Sequence, residues 1–446
     1  MLIRFTVKNF LSFKEETEFN LLPGRTKKLA HHKYKCGDIE VLKMTALYGA
    51  NASGKSNLIT AMWGLKKCMT EEALDKNISD QKFLLSEASE KQPIEFAIEF
   101  TKDDFLFYYA IAINDDMITE EYFTAKAGSN KEVIVFDRKI VDGKTVVIFS
   151  KEFETGKDNQ LKKKIITENL LKENHSLFFL LNKNFSGEFR KITIAYKWVI
   201  NNLQILFPTT KPMAIVKALD GNPMFRERAK KYMNSYSLGV NGLHIKSRKI
   251  MDHDELSNEV FGSFRQVEDD LLVSVGSDDE AIVVKTKDGL IERRLFLTHD
   301  AENETQIALD FFRESEGTKR LLQFFPMFDY LFNGENYTFI IDEIEQSIHP
   351  LMMKEIIKKF ANDESSKGQL IFSTHDVNLL DQEIFRQDEI WFAEKNAVGA
   401  SRLYPLSDYK EHATIDIEKG YLAGRYGGVP YLGDLRDLNW NMENDD

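Results

Sequence analysis

The hydrophobic pattern changes period along the chain, and those changes predict its organisation. "LIRFTVKNF" near the start and "KMTALYG" before residue 50 read as strands. "IEFAIEF", "FLFYYAIAI" and "TEEYFTAK" follow, broken by the polar turns "TKDD" and "NDDM", which predicts an antiparallel meander. From about residue 151 the apolar spacing becomes three-to-four, in "NQLKKKIITENLLKEN" and "EFRKITIAYKWVINNLQIL", so helices are expected there. Strand character returns at "EAIVVKTKDGLIERRLFLT". The last third then alternates: "YTFIIDE", "PLMMKEIIKKFAND", "GQLIFSTHD", "DEIWFAEK". Strand and helix in turn predict a parallel sheet with crossover helices. The expected division is an N-lobe over 1–150, a helical insertion over 151–270 and a C-lobe over 271–446. The tail "NWNMENDD" is expected to be frayed and solvated.

Where "KMTALYG" gives way to the amphipathic "NLITAMWGLKKC", the connection is "GANASGKSN", residues 49–57. It fits G-x-x-x-x-G-K-[ST] in the strand-to-helix context that this motif needs. Glycines let backbone N–H groups curl around a β-phosphate at a helix N-terminus. Gly49, Asn51, Gly54, Lys55, Ser56 and Asn57 are thus candidate nucleotide-binding residues. Lys55 supplies charge to the β- and γ-phosphates of ATP, and the Ser56 hydroxyl can ligate Mg²⁺.

The apolar strand of "YTFIIDEIEQSIHP" ends in Asp342-Glu343. In open parallel sheets, ligands sit at the carboxyl ends of strands. Asp342 is expected to hold Mg²⁺ through water and Glu343 to polarise the attacking water. "GQLIFSTHD" ends in a second polar cluster. If its strand neighbours the first, His375 stands beside Glu343 as a γ-phosphate sensor.

Bulk properties narrow the classes. No apolar run approaches bilayer length, and "MLIRFTVKNF" alternates like a strand, unlike a signal peptide. Membrane attachment is therefore not expected. Two cysteines without CxxC spacing, Cys36 and Cys68, fit a reducing cytoplasm. The net charge of −12 argues against general nucleic-acid coating, but it is unevenly placed. Residues 151–250 hold nineteen Lys and Arg against eight Asp and Glu, a local +11. A nucleic acid or a phage protein is a candidate partner for that insertion; a solvated helical surface is the plainer reading.

The order GANASGKSN, SEGT (315–318), FIIDE, STHD resembles the ABC-type ATPases of the SMC and RecF kind. The resemblance implies an α/β fold: an ABC-type P-loop ATPase head, a mixed sheet with antiparallel meander plus parallel core, here with the helical insertion. It also implies that Ser315, Gly317 and Thr318 form the signature that binds the γ-phosphate held by an opposite subunit, in a homodimer or higher oligomer. Gln346–Pro350 would form the subunit-contact loop after it. "MLIRFTVKNFLSF", "LYGANASGKSNLI", "DEIWFAEK" and "YLAGRYGGVP" further resemble bacterial anti-phage ATPases of the RloA and AbiLi kind and, more distantly, AriA of the PARIS defence system. That likeness implies abortive infection through a separately encoded effector protein, a nuclease. Ala52 departs from the glycine of many ABC heads, and the signature lacks the Gly-Gly pair of transporters. A RecF-like repair ATPase remains an alternative. An OLD-type nuclease is disfavoured, because only about seventy residues follow His375 and they carry no DxD cluster. The "YLAGRYGGVPYL" segment, 421–432, is open between an effector or subunit contact and simple packing on the head.

Overall fold

The computed structural model of the protein describes residues 1–128, 130–210, 215–236, 238–250, 272–275, 281–286, 289–302, 305–334, 336–409, 411–412 and 415–429. The expectations for 251–270, for 430–432 and for the tail 439–446 lie outside them. Along the chain run β1 (Leu2–Lys8), β2 (Thr17–Asn20), β3 (Met44–Tyr48) and α1 (Lys55–Thr70). The meander follows as β4 (Ile94–Lys102), β5 (Phe105–Asn114), β6 (Met117–Ala127), β7 (Val133–Val141) and β8 (Lys144–Phe149). Next come α2 (Leu177–Asn184), β9 (Leu203–Leu206), α3 (Pro223–Asn234) and β10 (Val240–Lys249). Four short or medium strands succeed them: β11 (Leu272–Val275), β12 (Ala281–Thr286), β13 (Gly289–Asp300) and β14 (Gln306–Asp310). The chain continues through α4 (Glu316–Asn333), β15 (Thr338–Ile341), α5 (Pro350–Asn362) and β16 (Gln369–Ser373). It closes with β17 (Ile390–Lys395), β18 (Ser401–Pro405) and α6 (Ile417–Leu422).

Two compact units result. The first comprises Met1–Phe207, Gly334–Ile344 and the described residues from Ile357 on; the second comprises Pro208–Asn333 and Glu345–Ile356. In the first, an antiparallel sheet of order β8-β7-β6-β5-β4-β1-β2 accompanies a sheet of order β9-β15-β16-β3-β17-β18. The second sheet is parallel from β9 to β17, and β18 pairs antiparallel at its edge. Strands β3, β15 and β16 are buried at every position, as a parallel sheet covered on both faces requires. One apolar core joins Leu58, Met62 and Leu65 of α1 to Phe96 and Phe100 of the meander and to Ile340 and Ile371 of the parallel sheet. Gln369 ties the two sheets together. Its amide accepts from Leu2 N and donates to the Leu2 and Leu42 carbonyls, all at 2.8–3.0 Å.

Residues 151–207 belong to this first unit, for an electrostatic reason. Arg138, fully buried on β7, donates to the carbonyls of Lys172, Glu173 and His175 and pairs with Glu121 at 3.4 Å. Glu121 also accepts from the N–H groups of Leu177 and Phe178 at 2.8 and 2.9 Å, holding a carboxylate at the start of α2. Trp198 stacks on Phe100 at 4.2 Å and completes the packing. "LQIL", expected to continue a helix, is instead the edge strand β9, paired in parallel with β15 from Leu203↔Thr338 to Leu206↔Ile341. A π-turn over Trp198–Asn202 ends the helical phase, and the open edge of β15 supplies ladder partners that a helix would not use.

The second unit is not purely helical either. Within the region expected to be helical, β10 pairs with β13 in a sheet of order β10-β13-β12-β11, and β14 joins on β13. Helices α3 and α4 pack through Phe225 and Tyr232 on Phe325, with ring centroids 4.8 and 5.3 Å apart. Arg228 forks onto Asp329 at 2.6 and 2.8 Å. Part of the expected basic surface carries ion pairs: Lys162 with Glu188, Lys163 with Glu154, Lys183 with Glu72, Arg248 with Glu292.

Candidate functional site

In the first unit, β3, β16 and β15 lie side by side and deliver their carboxyl ends to one edge. The loop after β3 is shaped by backbone strain that few residue types tolerate. Gly54, at φ +113°, precedes α1, and Ala52 is held left-handed at φ +61°. A side chain at Gly49 would collide with the Ala393 carbonyl and one at Gly54 with the Ser401 hydroxyl, so the loop lies flush against its neighbours. Lys55 is buried, and its ammonium donates to the carbonyls of Gly49 and Ala50 at 2.8 and 3.2 Å. Asn51 and Ser56 are exposed on the open side.

Asp342 and Glu343 follow β15 directly. Asp342 is only 4% exposed, and its Oδ1 accepts from the Ser373 hydroxyl at 2.5 Å. The same hydroxyl accepts from the Glu343 N–H at 2.8 Å. One serine at the end of β16 thus fixes both the metal-ligand candidate and the backbone of the acid beside it. Glu343 sits at φ +51°, unusual for a residue with a side chain and held here by that bond. His375 follows two residues after Ser373 and is exposed. Its strand neighbours that of Glu343, with Ile341 opposite Phe372.

The loop also has a brace that its motif does not contain. Ser12 accepts from Asn57 Nδ2 and bonds Ser401 Oγ, both at 2.8 Å, and Ser401 Oγ donates to the Ser53 carbonyl at 2.7 Å. Asn57, expected at the nucleotide, has its amide engaged with Ser12. From sequence, Ser373, Ser12 and Ser401 were assigned no role, although Ser373 opens the "STHD" that helped carry the resemblance. Ser12 lies within the "NFLSF" that carried the resemblance, and Ser373 two residues before His375.

Of the segment 421–432, the described part packs on the head beside this loop. The α-carbon of Gly49 lies 3.6 Å from where a Gly428 side chain would begin. Tyr421 donates to the Gly428 carbonyl at 3.0 Å, and Tyr426 stacks on Phe392 at 5.8 Å.

The second unit holds the signature candidates at the start of α4. Ser315 Oγ accepts from the Thr318 N–H at 3.1 Å and lies 2.8 Å from Thr318 Oγ1, a serine cap on the helix. Ser315 is exposed, Thr318 buried, and a side chain on Gly317 would press on the Ser347 carbonyl at 3.0 Å.

The residues of the first unit suit a nucleotide with Mg²⁺. Ser53 Oγ is buried in the loop without a partner, and the glycine bend leaves no Cβ in the cradle.

A family model described as "AAA domain, putative AbiEii toxin, Type IV TA system" matches residues 44–381. No curated protein matches the chain. Among solved structures, the SMC head domain from Thermotoga maritima is 14% identical over 91% of this chain and 98% of its own, with a TM-score of 0.38. An SMC head bound to the C-terminal winged-helix domain of ScpA is 13% identical over 92% and 99%, with a TM-score of 0.45. An Smc head with extended coiled coil, bound to a ScpA domain derived from Pyrococcus furiosus, is 12% identical over 95% and 98%, at 0.39.

Proposed function

The chain belongs to that AAA-domain family, and on this premise we propose an Mg²⁺-dependent ATP hydrolase of the ABC head type that acts as a switch in anti-phage defence. The observation that carries the reading is Ser373, at the end of the strand next to β3 and its phosphate loop, whose single hydroxyl fixes Asp342 and Glu343 after the neighbouring β15. Lys55 and the loop N–H groups bind the triphosphate, and Ser56 and Asp342 hold the metal. When bound, Mg²⁺ neutralises charge on the phosphates. Glu343 orients and polarises the water, and His375 reads the γ-phosphate. Ser315, Gly317 and Thr318 of a second chain close the site, so self-association and hydrolysis are coupled. The family description, which names a toxin of toxin–antitoxin systems, supports abortive infection as the setting; the output we propose is a separately encoded effector, a nuclease, as the resemblance to the anti-phage ATPases implies. Nucleotide controls such a partner only by the difference in its affinity for two conformations.

Equal mixtures of Lys55→Ala and Ser315→Arg chains test the shared site. Each alone is expected to be inactive, and the mixture to recover part of the turnover, because one interface pairs two intact halves. Mixed oligomers without recovered activity refute the arrangement. Co-purification of the neighbouring gene product with Glu343→Gln and with Lys55→Ala tests the switch. Unequal recovery is expected, and equal recovery with equal toxicity on co-expression removes it.

A further inference from the structure

The flank of α4 carries a polar group that neither the ATP site nor the signature employs. Arg320 is 7% exposed, and its Nε and Nη2, both sealed from solvent, have no hydrogen-bond partner. One face of its guanidinium lies 4.3 Å from the centroid of the Phe324 ring, which leaves the in-plane donors unanswered. Beside it opens a cavity of about 180 Å³ within the second unit, lined also by Lys319, Gln323, Thr209, Thr210 and Ser347. Glu316 is the one acid among its described lining residues. It is 79% exposed and pairs with Lys319 at 3.0 Å, a rim contact that water can replace. Residues 316, 319, 320 and 323 form one helical stripe, whereas Ser315 and Thr318 bond each other on another. The cavity thus borders the signature turn, at Glu316 and at Ser347 beside Gly317, but its Arg320 wall lies one turn further along α4.

A guanidinium stays protonated in a protein, so its burial without a counter-charge is unfavourable until an anion arrives. Desolvation lowers the Arg320 pKa, which is the same penalty expressed as proton affinity. Apart from Glu316 and Lys319 the remaining described lining is neutral and offers donors, the hydroxyls of Thr209 and Ser347 and the amides of Gln323 and Gln346. That set exceeds what the two oxygens of a carboxylate accept and suits the three or four oxygens of a phosphoryl group.

We propose that this cavity binds a small phosphate-bearing ligand, with Arg320 as its anion anchor and Thr209, Gln323 and Ser347 completing the shell. The site lies on the helix that begins with the signature and against Ser347, four residues beyond Glu343, so its occupant would set the position of α4. The inference does not depend on the ATPase reading.

The test uses the full chain carrying Lys55→Ala, so that the phosphate loop is disabled as a competing anion site. Melting temperature and titration calorimetry are followed with inorganic phosphate, AMP and succinate at matched ionic strength. Phosphate or AMP is expected to bind and stabilise, and succinate to do neither. Adding Arg320→Gln is expected to weaken that binding about 10-fold or more, the loss of a charge-assisted pair of bonds. Gln323→Glu places a carboxylate in the cavity as an internal partner for Arg320. It is expected to abolish the phosphate response while the unliganded protein melts no lower. A stronger response to AMP than to phosphate assigns the phosphoryl group to a nucleotide, and an equal response assigns it to free phosphate. Absence of any phosphate response, an equal response to succinate, or full retention of binding in both Arg320→Gln and Gln323→Glu overturns the proposal.

Discussion

The two sites differ in how their side chains are held, although each keeps a buried polar group without a partner: Ser53 Oγ in the loop after β3, and Arg320 Nε and Nη2 on α4. Around the phosphate loop, Ser12, Asn57 and Ser401 are bonded to one another, and Ser373 answers both Asp342 and Glu343. At the start of α4 the hydroxyls of Ser315 and Thr318 bond each other, and Arg320 keeps two buried N–H groups without partners. A site closed by local bonds holds its geometry before a ligand comes, since each buried partner lost would leave a desolvated group behind. A region with donors left over draws its missing acceptors from outside the chain. The difference separates what one chain can prepare alone from what needs a ligand or a second copy.

The strongest way to break the comparison is to remove chemistry from the prepared site without disturbing its bonds. In Glu343→Gln the backbone N–H to Ser373 remains, and only the ionised carboxylate is lost. Turnover is expected to fall about 10²- to 10⁴-fold with ATP affinity nearly unchanged. Lys55→Ala is expected to lose affinity itself. Steady-state hydrolysis beside equilibrium nucleotide binding separates the two. Normal turnover in Glu343→Gln would transfer the role to another acid, with Glu345 next in line.

Ser373→Ala attacks the preparation itself. It strands the Glu343 N–H and one Asp342 oxygen in a buried corner, at about 1–3 kcal/mol of stability. Glu343 loses the bond that supports its left-handed backbone, so turnover is expected to fall about 10- to 100-fold. Thr at this position restores the hydroxyl and should restore much of the rate. A variant that melts lower yet turns over normally would mean that the acids need no such support.

These sites differ in how far the sequence discloses them. The strand-to-helix loop at 49–57 and the placement of the acids after β15 were legible because motif and strand period agreed, and Gly54 at φ +113° shows why glycine is required there. Ser373 and Ser401 were not legible, because a serine at a strand end looks alike whether it bonds water or a distant carboxylate. Only the pairing of β15 with β16, from residues about thirty apart, gives Ser373 its function. The strand β9 was missed for a related reason: "LQIL" continues a helical spacing locally, and the open edge of β15 overrides it. Strand β10 lay hidden likewise, since its ladder partner β13 is supplied from more than forty residues downstream.

Ser315→Ala sharpens the comparison from the other side. Within one chain it removes a helix cap, about 0.5–2 kcal/mol. If Ser315 serves a nucleotide held by another chain, hydrolysis is expected to fall well beyond what that loss explains. Ser315→Asp preserves the cap but places negative charge against the γ-phosphate, so it should keep stability and still lose activity. Activity that tracks melting temperature across both variants would reduce Ser315 to a cap.

The smallest effect is expected from Tyr421→Phe, and it settles whether the GRYGG segment belongs to the prepared site or only leans on it. The phenol donates to the Gly428 carbonyl at 3.0 Å, while the ring packs on Tyr48, 6.0 Å between centroids, and on Phe392 at 5.5 Å. Phenylalanine keeps those ring contacts and removes only the bond, so stability is expected to fall about 0.5–1.5 kcal/mol. Gly428 bears on Gly49 through backbone alone, at φ +67°, and the loop's own braces, Ser12 and Ser401, approach it from other elements. A slight loosening of Gly428 therefore leaves the loop's shape intact, and the ATP dissociation constant is expected to change less than about threefold, under 0.7 kcal/mol. Gly428→Ala asks for the same contact in a backbone region that alanine resists, and should cost about 1–2 kcal/mol more in stability. A tenfold loss of ATP affinity in Tyr421→Phe, with the fold intact by melting, would make the segment a working wall of the nucleotide site.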